Sequence, residues 1–173
     1  MRVADYIIHR LEHLTRHVFL LVGGGSMHLN DALYGSKLQP VFMLHEQGAA
    51  FAAQTYGHLT GLGVCMTTSG PGATNAITGC LAAWMDSTPV LFISGNVATG
   101  NMMTGTGLRY VGPQEADIIS MVKPITKYAL CVKYVDWVEG ALDQAIEQAT
   151  HGRKGPVWLD IPLDVQGAEC KDR

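Results

Sequence analysis

The sequence predicts an α/β domain of the doubly wound kind, a parallel sheet of about six strands with helices on both faces. Two observations carry this. Short continuous apolar runs recur along the chain, as expected of strands buried on both sides rather than on one. Each run is separated from the next by a segment of helical character, with glycine or proline at the changeovers. With 173 residues, 47% of them hydrophobic, the chain has the size and apolar content of one domain with a substantial core.

Taken in order, residues 3–17 have helical apolar periodicity, and 17–22 form an apolar run that stops at Gly23, Gly24 and Gly25, as a buried strand entering a tight turn does. A helical stretch reaching Leu33 leads to a second strand at 40–44. Residues 46–60 are Ala-rich and helical until Gly61 and Gly63 stop them, and 63–67 is the third strand. Pro71 sits near the first turn of a helix predicted over 71–85, followed by a fourth strand at 89–94. From 95 to 113 runs a long loop rich in Gly, Thr and Met. A helix at 114–121, a strand at 127–132, a helix at 134–150 and a strand at 156–161 complete the alternation.

Composition narrows the function classes. Charged residues make up 16% and the net charge is -3, with no basic run of the sort that meets a nucleic-acid backbone or an anionic membrane. No apolar stretch approaches a membrane span, and Arg2, Asp5, Arg10, Glu12 and Arg16 interrupt the start where a signal peptide would be apolar. The expected location is the cytoplasm, with neither nucleic acid nor membrane as a partner. Cys65, Cys80, Cys131 and Cys170 are widely spaced, and the first three fall in apolar segments where a reduced thiol acts as a small hydrophobe. His9, His13 and His17 have the spacing of one helix face, but no carboxylate or thiol completes a ligand set, so they read as a solvated face and no metal site is expected.

In a sheet of this kind ligands sit beyond the carboxyl ends of the strands. There Glu46 stands where the second strand hands over to a helix of small residues. A carboxylate at a helix start also has a purely structural use, stabilising the dipole by about 0.3 to 1 kcal/mol. After the third strand, Ser69-Gly70-Pro71-Gly72-Ala73-Thr74-Asn75 combines close backbone approach with a proline that starts a helix. Gly23-Gly24-Gly25-Ser26 after the first strand, with Glu46 about 20 residues on, outlines a dinucleotide fingerprint, although His28 occupies the place of its third glycine.

Five segments in register carry a resemblance: His45-Glu46-Gln47-Gly48-Ala49-Ala50, Thr68 to Asn75, Met85-Asp86-Ser87-Thr88-Pro89, Gln114-Glu115-Ala116-Asp117, and Gly155 to Val165. Together they resemble the amino-terminal, pyrimidine-binding domain of acetolactate synthases, which depend on thiamine diphosphate. The resemblance implies cofactor binding by Gly23, Gly24, Glu46, Pro71 and Asn75, and catalytic roles for Glu46 and Gln114. Glu46 would hydrogen-bond the aminopyrimidine ring opposite its reacting side, helping the cofactor's exocyclic nitrogen take the proton of the reacting carbon. Gln114 would point toward the substrate, a small 2-oxo acid such as pyruvate, whose acyl unit passes after decarboxylation to a carbonyl acceptor.

Departures from that family are visible too. Leu21 and Val22 replace its usual Tyr-Pro, the loop from Gly95 to Gln114 is longer, and Pro113 stands where phenylalanine is common. The segments from Gly107 to Arg109 and from Pro124 to Tyr128 also resemble acetolactate synthase-like proteins of polysaccharide gene clusters, so a sugar ketone is an alternative acceptor. The Gly-Asp-Gly that binds the cofactor's metal in such enzymes does not occur. By the resemblance, Mg2+ and any FAD belong to other domains, residues 1–165 form the pyrimidine domain, and 166–173 begin a linker. A truncated chain is expected, working as a homodimer or tetramer whose site is completed by the diphosphate domain of another subunit. The alternatives are a small subunit of a two-subunit decarboxylase and a non-catalytic assembly subunit.

Overall fold

A computed structural model describes residues 1–170. Its six strands, β1 (His17–Leu20), β2 (Gln39–Phe42), β3 (Gly63–Thr67), β4 (Val90–Asn96), β5 (Tyr128–Cys131) and β6 (Val157–Pro162), form one sheet in the order β2, β1, β3, β4, β6, β5. Every pairing is parallel. The helices are α1 (Val3–Leu11), α2 (Met27–Tyr34), α3 (Glu46–Thr60), α4 (Pro71–Asn75), α5 (Ile77–Met85), α6 (Ile118–Val122), α7 (Val138–Thr150) and α8 (Leu163–Gly167).

The two-residue period of the strands divides the core into two layers. Val64, Met66, Leu91, Ile93, Val157, Leu159 and Ile161 face α1, α2, α7 and α8. Cys65, Val90, Phe92 and Trp158 face α3, α4, α5 and α6. Every residue of β3, β4 and β6 is buried, which is why their sequences are continuous apolar runs. At the edge, β2 exposes Gln39, Pro40 and Phe42, and Pro40 is tolerated there because an edge strand need not donate on both sides. Burial pushes the thiols of Cys65 and Cys80 up, so both pack as protonated, apolar groups.

Parallel register sets like against like between β4 and β6. Phe92 lies beside Trp158 and Ser94 beside Asp160. The two aromatic rings stack at 4.8 Å with planes 8° apart. Trp158 Nε1 donates to Ser94 Oγ at 2.9 Å, Ser94 Oγ donates to Asp160 Oδ1 at 2.6 Å, and Asn96 Nδ2 donates to Asp160 Oδ2 at 2.6 Å. This chain satisfies polar groups that would otherwise destabilise the sheet's centre.

Several boundaries differ from the sequence reading. The first helix ends at Leu11 rather than running to 17, because Arg16 and His17 are drawn into pairing with β2. His17 therefore sits in a strand against Tyr56, while His9 and His13 meet edge to face at 5.3 Å, so the three do not share a helix face. The single helix expected over 71–85 breaks at Ala76, where a tight turn bonds Ala76 N to Ala73 O. Of the stretch 166–173 expected to begin a linker, 171–173 lie outside the described residues, while Gln166 and Gly167 belong to α8, which packs on the sheet with the Gln166 side chain buried and donating to Ile161 O and Gly25 O.

Asp160 titrates unusually. Burial raises its pKa to about 6, against opposing hydrogen bonds from Ser94, Asn96 and Cys131. The folded protein thus holds this proton to higher pH than the unfolded chain. The resulting stabilisation is complete below the unfolded value near 3.8 and is lost as pH rises through about 6, on the order of 3 kcal/mol in all. Urea unfolding from pH 4 to 7 should show the wild type losing most of that amount relative to Asp160→Asn; a constant difference between the two would contradict it.

Candidate functional site

The carboxyl ends of β1, β2 and β3 gather three short segments. At the start of α3, His45 is extended and its Nδ1 accepts from Gln47 N at 3.1 Å, which caps the helix and makes Glu46 its first residue. Glu46 is 6% exposed. Its Oε2 accepts from Asn75 Nδ2 at 2.9 Å, and the break at Ala76 leaves Asn75 as the last residue of α4. The other oxygen, Oε1, faces the bare Cα of Gly72, where a Cβ would lie 3.2 Å from it. Among the described residues no donor reaches Oε1. A buried carboxyl group with one oxygen held and the other open can accept a hydrogen bond from a ligand or share a proton with one.

Thr68 joins this carboxylate to the glycine turn. Its Oγ1 accepts from Gly25 N at 3.0 Å. A Cβ on Gly23 would lie 2.5 Å from Thr68 Cβ, and one on Gly72 would lie 2.6 Å from Thr68 Cγ2. Asn30 Nδ2 and Gln166 Nε2 hold the carbonyls of Gly23 and Gly25 from the other side. Gly24 alone of the three has nothing near its Cα and is exposed. The Gly25 amide, which a dinucleotide pyrophosphate would need, is engaged within the protein, and this disfavours the dinucleotide reading.

Gln114 is not at a helix start, as the sequence suggested, but in a turn with φ of 59°. The helix begins four residues later at Ile118, capped by Asp117, which accepts from Ser120 N at 3.1 Å. The cause is Glu115. Its carboxylate takes the amides of Met103, Val111 and Gly112 and so closes the preceding loop on itself. The Gln114 carbonyl rests on Gly70, which has φ of 50°, and a Cβ there would lie 1.8 Å from Gln114 O. Gly70, Pro71, Thr74, Tyr110, Pro113 and Gln114 line one cleft of about 600 Å³.

The structure therefore brings Glu46 to Asn75 and Pro71 to Gln114, and links Gly23 to Gly72 through Thr68. It leaves Gly24 open on the glycine turn. Sequence reasoning overlooked Thr68 and Glu115 as organisers, though both lie in the motifs it singled out. Among the described residues no cluster of three or more His, Cys, Asp or Glu is placed to hold a metal ion. No helix among them is long and apolar enough to cross a membrane.

Residues 1–121 match the family described as thiamine pyrophosphate enzyme, N-terminal TPP binding domain. The chain is 43% identical over 171 residues to an acetolactate synthase of Mycobacterium leprae, covering 97% of this chain and 26% of that protein. It is 42% identical over 172 residues to an acetolactate synthase large subunit of Corynebacterium glutamicum, with 98% and 26% covered. To the isozyme 2 large subunit of Escherichia coli it is 39% identical over 168 residues, with 96% and 30% covered. The chain thus spans between a quarter and a third of the length of these relatives.

Replacing Gly70 tests the contact between the cleft's two walls. Gly70→Ala forces a positive φ on alanine and drives its Cβ into the Gln114 carbonyl, so stability should fall by about 2 kcal/mol or more. Chemical denaturation measures this, and a loss under about 0.5 kcal/mol would mean that the contact is not tight.

Proposed function

Because the chain belongs to the thiamine pyrophosphate enzyme family as an N-terminal TPP-binding domain, we propose that it forms the pyrimidine-binding half of the active site in an acetolactate synthase-like enzyme. The observation that carries this reading is the Glu46 carboxylate, buried at the carboxyl edge of the sheet with Oε2 fixed by Asn75 and Oε1 without a donor beside Gly72. That arrangement fits the ring nitrogen of an aminopyrimidine.

Bound thiamine diphosphate supplies the electron sink for decarboxylating a 2-oxo acid and carrying its acyl unit. Glu46 would turn Oε1 toward the ring nitrogen, so that a proton can be shared between the two. Asn75 keeps the carboxylate from rotating, and the absence of a side chain at Gly72 gives the ring room. Pro71 supplies an apolar wall, while Gly23 and Gly24 border the pocket as bare backbone. Gln114 presents its amide to the substrate across the cleft it shares with Pro71. Pyruvate is the proposed donor and a second carbonyl compound the acceptor.

In this reading Mg2+, the cofactor's diphosphate and any FAD are held outside residues 1–173, since no Gly-Asp-Gly occurs in the sequence. Another subunit contributes them in a cytoplasmic homodimer or tetramer. Exposed Phe51, Leu81, Trp84 and Met85 on α3 and α5 support association, because a soluble chain seldom leaves such side chains without a covering surface.

The test is the complete gene product with thiamine diphosphate, Mg2+ and pyruvate. Glu46→Gln keeps the size and burial of the side chain but removes the ionisable carboxyl, and pyruvate consumption should fall at least about 100-fold. Turnover within about threefold of wild type would refute the assignment.

A further inference from the structure

We propose that Glu115 is a positioning residue: by gathering backbone amides from both ends of the 103–112 loop it fixes the cleft wall that carries Gln114 and Tyr110, and thereby sets which second carbonyl substrate is accepted. The choice of substrate in this statement rests on the function proposed above. The positioning does not.

Apart from Gly112, which is buried against Val97 and Asn101, the loop has few contacts outside itself. Residues 104–111 are all exposed. Gly105 and Gly107 have φ of 80° and 75°, and neither has a neighbour within 4 Å of where its Cβ would be. Thr106 Oγ1 donates to Met103 O at 2.7 Å and Leu108 N donates to Thr106 Oγ1 at 3.1 Å, but both bonds stay inside the loop. Lys133 Nζ donates to Thr104 Oγ1 at 3.2 Å in a solvent-exposed bond. By contrast, Glu115 Oε1 accepts from Met103 N at 2.5 Å, while Oε2 accepts from Val111 N at 2.8 Å and from Gly112 N at 3.4 Å. One carboxylate thus ties the outgoing strand of the loop to the returning one, with the greater strength of bonds to a charged acceptor.

The position of this clasp decides what it governs. Tyr110 and Gln114 flank the Val111 and Gly112 amides that Glu115 holds, and both line the cleft of about 600 Å³ with Pro71, Thr74 and Glu115 itself. Glu46 is held separately, by Asn75 from α4. Loosening the loop therefore moves the substrate wall while the bond that orients Glu46 stays in place. A wall set by hydrogen bonds discriminates between acceptors of different size through the shape it keeps.

The experiment compares the complete gene product as wild type, Glu115→Gln and Glu115→Asp. Amide hydrogen exchange should rise at least tenfold at Met103, Val111 and Gly112 in Glu115→Gln, and less in Glu115→Asp, which retains the charge. With thiamine diphosphate, Mg2+ and pyruvate present, and 2-oxobutanoate as a competing acceptor, the product ratio should shift at least fivefold in Glu115→Gln. Pyruvate consumption should fall by a smaller factor than the ratio shifts, with Glu115→Asp partly restoring the wild-type ratio. Unchanged exchange would overturn the positioning role. Faster exchange with an unchanged product ratio, or with pyruvate consumption lost in proportion, would overturn the selectivity role. A wild-type protein that consumes no 2-oxo acid would overturn the proposed function and the selectivity role together, while the exchange rates still decide the positioning role.

Discussion

A parallel sheet covered on both faces has one place left for polar chemistry, the carboxyl rim of its strands. Here the cover is complete over β3, β4 and β6, whose residues are buried throughout; Thr67 Oγ1 on β3 has no partner among the described residues, but a polar side chain inside the sheet gains by finding one within it. Ser94, Asn96 and Asp160 do so across neighbouring strands. The register that stacks Phe92 on Trp158 is the same register that sets Ser94 beside Asp160. Packing and polar satisfaction therefore favour one alignment, and a slip by one residue would lose both. The rim inherits its geometry from that alignment.

At the rim, most of the close fits are made by leaving side chains out. Gly23 and Gly72 both give way to Thr68, and Gly70 gives way to the Gln114 carbonyl. The result is a set of interlocked backbones in which one threonine touches two glycine segments and accepts a bond from the first. Such contacts tolerate little adjustment, because the neighbouring atoms are backbone or a β-branched side chain held by that backbone. The 103–112 loop differs in kind. It is held by one carboxylate and by the burial of Gly112 against Val97, and residues 104–111 lie open, so the same site combines a rigid half around Glu46 with a half whose shape is adjustable.

How much of this the sequence disclosed depends on the range of the interaction. The bounds of α3 and β3 were legible residue by residue, since Gly61 and Gly63 punctuate an Ala-rich helix and an apolar run. Glu46 was legible as a strand-end carboxylate. Its bond to Asn75 was not, because it depends on the break at Ala76, and neither alanine nor its neighbours carry a helix-breaking signal. Gln114 was read as helical since nothing local reveals that Glu115 will collect amides from as far back as Met103. The helix α8 was missed for a similar reason: its five residues are fixed by the long-range bond from Gln166 to Gly25 rather than by propensity.

The two ends of the described chain meet on the side of the domain bearing α1 and α8. Val3 N donates to Ala168 O, Cys170 N donates to Met1 O, and Arg2 pairs with Glu169 in an antiparallel bridge. A force applied between these ends would peel that small clasp open one hydrogen bond at a time, without shearing the sheet. Once the clasp is open the pull reaches α8, whose Gln166 holds the Gly25 carbonyl, so tension at the ends would be passed to the glycine turn that Thr68 anchors.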